Sequence, residues 1–181
     1  MYILNMAKAP YVNLAYEHTN FDLEEKFLKA DRLVSENKIS EAAHLLEEIL
    51  HEAPDFGKAH NHLGWLHETK FKNYEKAQEH YRLAIKFSPE YPAAHYNYCY
   101  CLSTLRKYDE LEKVLEQAIK VSGINYATIY NEYGLLREIQ GNLDDAIHYF
   151  KLHIKNSFDS KSIETAAESI KRCERKKQLI G

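Results

Sequence analysis

Three histidines crowd one short stretch, His60, His62 and His67 in HNHLGWLH, and a fourth, His95, follows His60 by 35 residues. Imidazoles in that density raise metal binding first. The spacing speaks against it. On a helix His60 and His67 stand two turns apart, and no pair among the three has the i, i+4 separation that lets two rings chelate one ion. The simpler reading is core histidines that hydrogen-bond between helices. His44, His51, His148 and His153 read as surface or edge positions. Cys99 and Cys101 lie two apart and so point in different directions on a helix. With Cys173 they form neither a disulfide framework nor a zinc-binding spacing. Reduced thiols fit a reducing compartment, and the expected location is cytoplasmic.

Nothing else in the chain is arranged for catalysis. It lacks a Gly-rich phosphate loop, a nucleophile elbow and a carboxylate pair isolated among apolar residues. The runs Glu24-Glu25 and Glu47-Glu48 read as solvated helix faces. The expectation is a protein that is not an enzyme and holds no cofactor and no metal. KRCERKK, residues 171–177, is the one stretch with the charge to attract nucleic acid, and Glu174 dilutes it. Nucleic-acid binding is therefore disfavoured. A net charge of −3 provides no general field for polyanions. No apolar run approaches the roughly 20 residues of a membrane span. The first 20 residues lack the basic stretch and apolar core of a signal peptide.

What positions these residues is a repeat. With 6 Gly and 4 Pro in 181 residues, the composition points to long helices and short connections. Ala30, Gly64, Cys99 and Gly134 are separated by 34, 35 and 35 residues. Ala42, Ala77, Leu111 and Ala146 are separated by 35, 34 and 35, and Pro54, Pro89 and Gly123 by 35 and 34. Three anchor series keeping one period mark a solenoid of helix–turn–helix units. The pattern predicts helices over 22–36, 40–52, 56–70, 74–87, 91–105, 108–121, 125–140 and 143–155. A ninth, over 160–178, carries Ile163, Ala166, Ala167, Ile170 and Cys173 on one stripe.

On these anchors the chain resembles the tetratricopeptide repeat family over about residues 22–158. The second unit is nearest the family pattern, with Leu63-Gly64, Ala77, Tyr81, Ala84 and Pro89. The fourth carries Tyr133-Gly134, Ala146 and Phe150. The third carries Tyr98-Cys99, Leu111, Leu115 and Ala118 and ends in Gly123. The first has Ala30, Ala42, Leu46, Ile49 and Pro54, but Lys26 stands where a large apolar residue is usual. The expected fold is an all-α right-handed solenoid of four such units, about 22–55, 56–90, 91–124 and 125–158, with an N-terminal extension (1–21) and a C-terminal capping helix (159–181).

In each unit a small residue on the first helix lets the second cross closely. A glycine there costs about 1 kcal/mol of helix propensity, which close packing offsets. The expected small partners are Ala42, Ala77 and Ala146. Asp22 with Glu25 reads as a capping box opening the first helix, and Asn142 with Asp145 as a cap on the eighth.

The resemblance implies that the first helices line a concave face. Counting from the small residue, positions −3, +1 and +4 share one side. They are Phe27, Asp31 and Val34 in the first unit, and Asn61, Trp65 and Glu68 in the second. In the third they are Tyr96, Tyr100 and Ser103, with Asn97 at the edge. In the fourth they are Asn131, Leu135 and Glu138. A groove carrying Asn61, Trp65, Glu68, Tyr96, Asn97, Tyr100, Asn131 and Leu135 suits a peptide segment or partner protein: aromatic rings give contact area at low entropy cost, and Asn side chains bond a peptide backbone without reading its sequence. Relatives that clamp a terminal carboxylate need basic residues here. This chain has Asn97, Thr128 and Glu132 at such places, so that mode is disfavoured. The expected function is a non-enzymatic adaptor or scaffold. The alternatives are a structural subunit self-associating through residues 1–20, and a co-chaperone-like factor.

Overall fold

The computed structural model of the chain describes the backbone of residues 11–180 and the side chains from residue 21 to 180. Among the described residues there are nine α-helices and no strand. They are α1 (Tyr11–Ser35), α2 (Ile39–Glu52), α3 (Gly57–Thr69), α4 (Tyr74–Phe87), α5 (Pro92–Thr104), α6 (Tyr108–Ala118), α7 (Tyr126–Ile139), α8 (Leu143–Asn156) and α9 (Ser160–Ile180). The fold class is the all-α helical repeat expected from the period. The helices form two compact units, divided between Pro54 and Asp55. No helix among the described residues is long and apolar enough to cross a membrane. The side chains of 1–20, on which the self-association reading rests, lie outside the described residues.

The first unit is the α1–α2 hairpin. Leu23, Ala30, Ala42, Leu46 and Ile49 are buried in it. Lys26, which occupies a position expected to be apolar, pairs with Glu52 across the hairpin instead. Phe27 is buried, so it is not an open inner-face residue. The capping-box expectation at Asp22 fails. Helix α1 runs back without a break to Tyr11, because residues 11–21 contain neither Gly nor Pro and extending an existing helix costs less than starting one.

The second unit stacks the hairpins α3–α4, α5–α6 and α7–α8, with α9 packed on α8. Neighbouring first helices touch, α3 with α5 and α5 with α7. Gly64 and Gly134 sit at helix crossings as expected, but the residue each admits is an aromatic ring. A Cβ at Gly64 would come 2.7 Å from Tyr81 ring carbons, and one at Gly134 2.6 Å from a Phe150 ring carbon. Both rings are fully buried. The nearest partner is therefore the ring four residues beyond Ala77 or Ala146, not the alanine itself. Where that later position is leucine (Leu46, Leu115), the crossing residue keeps a side chain, Ala30 or Cys99.

The turn inside each unit is closed by one device. Asn37, Lys72, Arg106 and Gly141 all have positive φ, from 54° to 81°, at separations of 35, 34 and 35 residues. In three of these turns the following amide N–H reaches back five residues, from Lys38 to Leu33, Lys107 to Leu102 and Asn142 to Arg137, whereas after Lys72 the Asn73 N–H reaches back six, to His67. The five-residue bond is a Schellman closure. Side-chain caps lie elsewhere than expected. Asn73 accepts from the Lys76 N–H at 3.1 Å and Asn125 from the Thr128 N–H at 3.3 Å, whereas Asn142 stands at the N-cap without a side-chain bond.

Helix α9 buries Ala166, Ser169 and Cys173, close to the expected stripe. Its basic residues have structural work. The Arg172 guanidinium donates two bonds to Glu138, at 2.7 and 2.6 Å, and the Lys176 ammonium a third at 2.7 Å. These donors hold the Glu138 carboxyl well below the usual range, at about 2. His153 is not an edge residue: it is 4% exposed. Its Nδ1–H donates to the Ala127 carbonyl at 2.7 Å, and Nε2 accepts from the Ser162 hydroxyl at 2.8 Å. One imidazole thus joins α7, α8 and α9.

Candidate functional site

Helices α3, α5 and α7 of the second unit carry all eight residues assigned to a binding face. Tyr100 is the most open of them, 66% exposed on α5. Trp65 and Tyr96 are half-buried and pack by one side against the core that runs from α4 to α7. The Lys70 ammonium lies 5.5 Å from the centre of the Trp65 ring, within reach of a cation–π attraction. The Tyr96 hydroxyl accepts the Asn125 N–H at the start of α7.

The structure brings Asn61 and Asn97 together. The Asn97 amide donates to the Asn61 carbonyl oxygen at 3.0 Å, a link between α3 and α5. Asn61 is 3% exposed, whereas Asn97 and Asn131 are partly exposed. Leu135 packs with Phe150 and Cys173, beneath α9. Glu68 is 7% exposed and takes the Tyr81 hydroxyl at 2.7 Å. Its carboxylate therefore serves the α3–α4 hairpin, and burial pushes its pKa up.

Glu132 was not among those eight. It is partly buried on α7, two residues before Gly134, at the place Asn97 holds on α5. Asn97 reaches back to Asn61 on the preceding first helix, and the same register turns Glu132 toward α5, which packs on α7. Desolvation raises its pKa, and its side-chain partner is the Asn131 amide at 3.5 Å. The sequence signal was its register with Asn97.

The histidines form a row that depends on a member the sequence did not bring forward, His80 of α4. His60 Nδ1 and His80 Nδ1 are 3.0 Å apart, so one ring donates to the lone pair of the other. His67 stacks on His80 at 5.4 Å and 10°. Phe87 and Phe71 close the two ends, against His60 and His67. Burial, helped by the neighbouring imidazoles and Lys76, lowers the His80 pKa to about 4. Among the described residues no group of three or more His, Cys, Asp or Glu is arranged to hold a metal ion. The thiols of Cys99, Cys101 and Cys173 are buried and free, and desolvation raises each pKa, that of Cys101 to about 12. They are poor nucleophiles.

Residues 27–92 match the tetratricopeptide repeat family. No curated protein matches the chain. Among solved structures the chain is similar to pilF of Pseudomonas aeruginosa, with a TM-score of 0.75 at 16% identity, covering 90% of this chain and 72% of that one. It is similar to YrrB, described as a TPR protein with an unusual peptide-binding site, with a TM-score of 0.73 at 18% identity, covering 95% and 86%. Yeast Tom70 gives a TM-score of 0.72 at 18% identity, over 86% of this chain and 34% of that one. At such identities these likenesses speak for the fold alone. The family match is to residues 27–92, and the period continued through α8 extends the same all-α helical-repeat fold along the rest of the described chain, as in those structures.

Proposed function

We propose that the chain is a non-enzymatic adaptor whose second unit binds a peptide segment of a partner protein on the α3–α5–α7 face. The observation that carries this is the aromatic row Trp65, Tyr96 and Tyr100, in which the Tyr100 ring is 66% exposed beside two half-buried rings. An exposed aromatic patch held on rigid helices presents contact area at low entropy cost. The partly exposed amides of Asn97 and Asn131 lie on the same helices, α5 and α7, and suit a peptide backbone. The fold supports a protein-interaction role in general, and the peptide-binding site named for YrrB belongs to a protein of the same fold. Affinity for a short segment is expected in the micromolar range, about −8 kcal/mol.

The test replaces Tyr100 with a photo-crosslinking phenylalanine and, as a control, Lys151 on the exposed side of α8. Adducts from position 100 should be mapped to one segment of the captured partner. That segment, as a synthetic peptide, should bind the chain and lose at least ten-fold in affinity with Trp65→Ala. Equal labelling from position 151, or binding indifferent to Trp65→Ala and Tyr100→Ala, refutes the proposal.

A further inference from the structure

Resting on the groove reading above, we propose that the α5–α7 part of the face takes a cationic side chain of the bound segment, an arginine before a lysine, against the Glu132 carboxylate. The inward carboxylates of the second unit otherwise have strong donors. Glu68 has the Tyr81 hydroxyl and Glu110 the Tyr98 hydroxyl and the Gln78 amide. Glu112 has the Arg137 guanidinium at 2.5 Å, and Glu138 has Arg172 and Lys176. Glu132 has an amide at 3.5 Å, the long limit of a hydrogen bond, and is in none of the ion pairs among the described residues.

A partly buried carboxylate in this state has given up hydration without gaining a counter-charge. A cation arriving from solvent restores that loss. By the register in which Asn97 reaches Asn61, Glu132 faces Tyr96 of α5, and Tyr100 lies one turn further along the same helix face. The ring is open to solvent. A guanidinium can lie flat on such a ring and still donate two parallel bonds to a carboxylate, which an ammonium cannot. Trp65 already receives a cation, Lys70 of the same chain, so the aromatic row accepts positive charge. An acidic segment would bring like charge onto Glu132.

The probe is N-acetyl-arginine amide, with N-acetyl-citrulline amide as its neutral isostere, titrated into the ¹⁵N-labelled full chain. The arginine amide should shift the amides of 99–100 and 131–133 saturably at millimolar concentration. Citrulline should bind at least ten-fold more weakly, and Glu132→Gln, with a dispersed spectrum attesting the fold, should remove that preference. Acidification toward the raised carboxyl pKa should weaken arginine binding in the wild type only. Equal response to arginine and citrulline, or an unchanged preference in Glu132→Gln, overturns the proposal without a folding question, because the first comparison uses the wild type. If the peptide recovered through Tyr100 depends on Trp65 but is indifferent to Glu132→Gln, this inference fails and the groove stands. If arginine amide binds at Glu132 while Trp65→Ala and Tyr100→Ala leave the partner bound, the groove reading fails instead.

Discussion

Acidification should loosen the α3–α4 hairpin at a pH where carboxylates are still charged. The His80 pKa falls from 6.5 to about 4 on folding. The unfolded chain therefore binds the proton first, so stability is full above about pH 6.5 and drains as the pH falls toward 4. At pH 5 the linkage relation for one such site gives a ceiling of about 2 kcal/mol. His80 is partly exposed, and screening reduces the expected loss to about 1 kcal/mol. The assay is urea unfolding followed by the emission of Trp65, the only tryptophan, which lies on α3 beside the row. Midpoints are compared at pH 7.5, 6.0 and 5.0 for the wild type and for the double variant His60→Phe with His80→Phe. The fourth repeat shows that two uncharged rings fit these positions, since Tyr130 and Tyr149 stack there at 6.3 Å. The double variant should lose most of the slope between pH 6.5 and 5. A wild-type slope that survives in the variant refutes the account of the imidazole row.

Gly64→Ala, although alanine is the better helix former, should destabilise by about 1–2 kcal/mol, because the Tyr81 ring it meets is fully buried and cannot retreat; urea midpoints read this. Arg106→Gly should stabilise the chain by up to about 1 kcal/mol by relieving its left-handed backbone, φ 57°, seen as a higher thermal midpoint. Glu138→Gln should free α9, raising amide exchange across residues 166–177, and should cost about 1–2 kcal/mol because both cations are about half exposed.

The helices were legible because one period is written four times, and a slipped residue in one turn does not blur the others. The crossings were legible as positions but not as partners. Gly64 and Gly134 announce a close approach, yet it is the rings of Tyr81 and Phe150 that need the room. Three of the four left-handed turn residues are not glycine, so Lys72 and Arg106 gave no sign of the closure they make. His80 and His153 were missed for a common reason. Each acquires its role only when another helix supplies a partner far along the chain, His60 for His80 and the Ala127 carbonyl for His153. The proposed face was chosen as a row of residue types, and burial divides it: Asn61 and Glu68 are spent inside the fold, while Tyr100 and Trp65 keep open surface. Asp22 misled because a local cap signal does not stop a helix whose upstream residues contain no breaker.

The most direct measurement is the emission of Trp65 as the peptide cross-linked at Tyr100 is titrated into the chain, with Tyr100→Ala as comparison. A saturable shift at micromolar peptide, moved at least ten-fold to higher concentration by Tyr100→Ala, is the expected result. Tight binding that leaves the Trp65 spectrum unchanged, with the same affinity in both proteins, would place the partner on another surface.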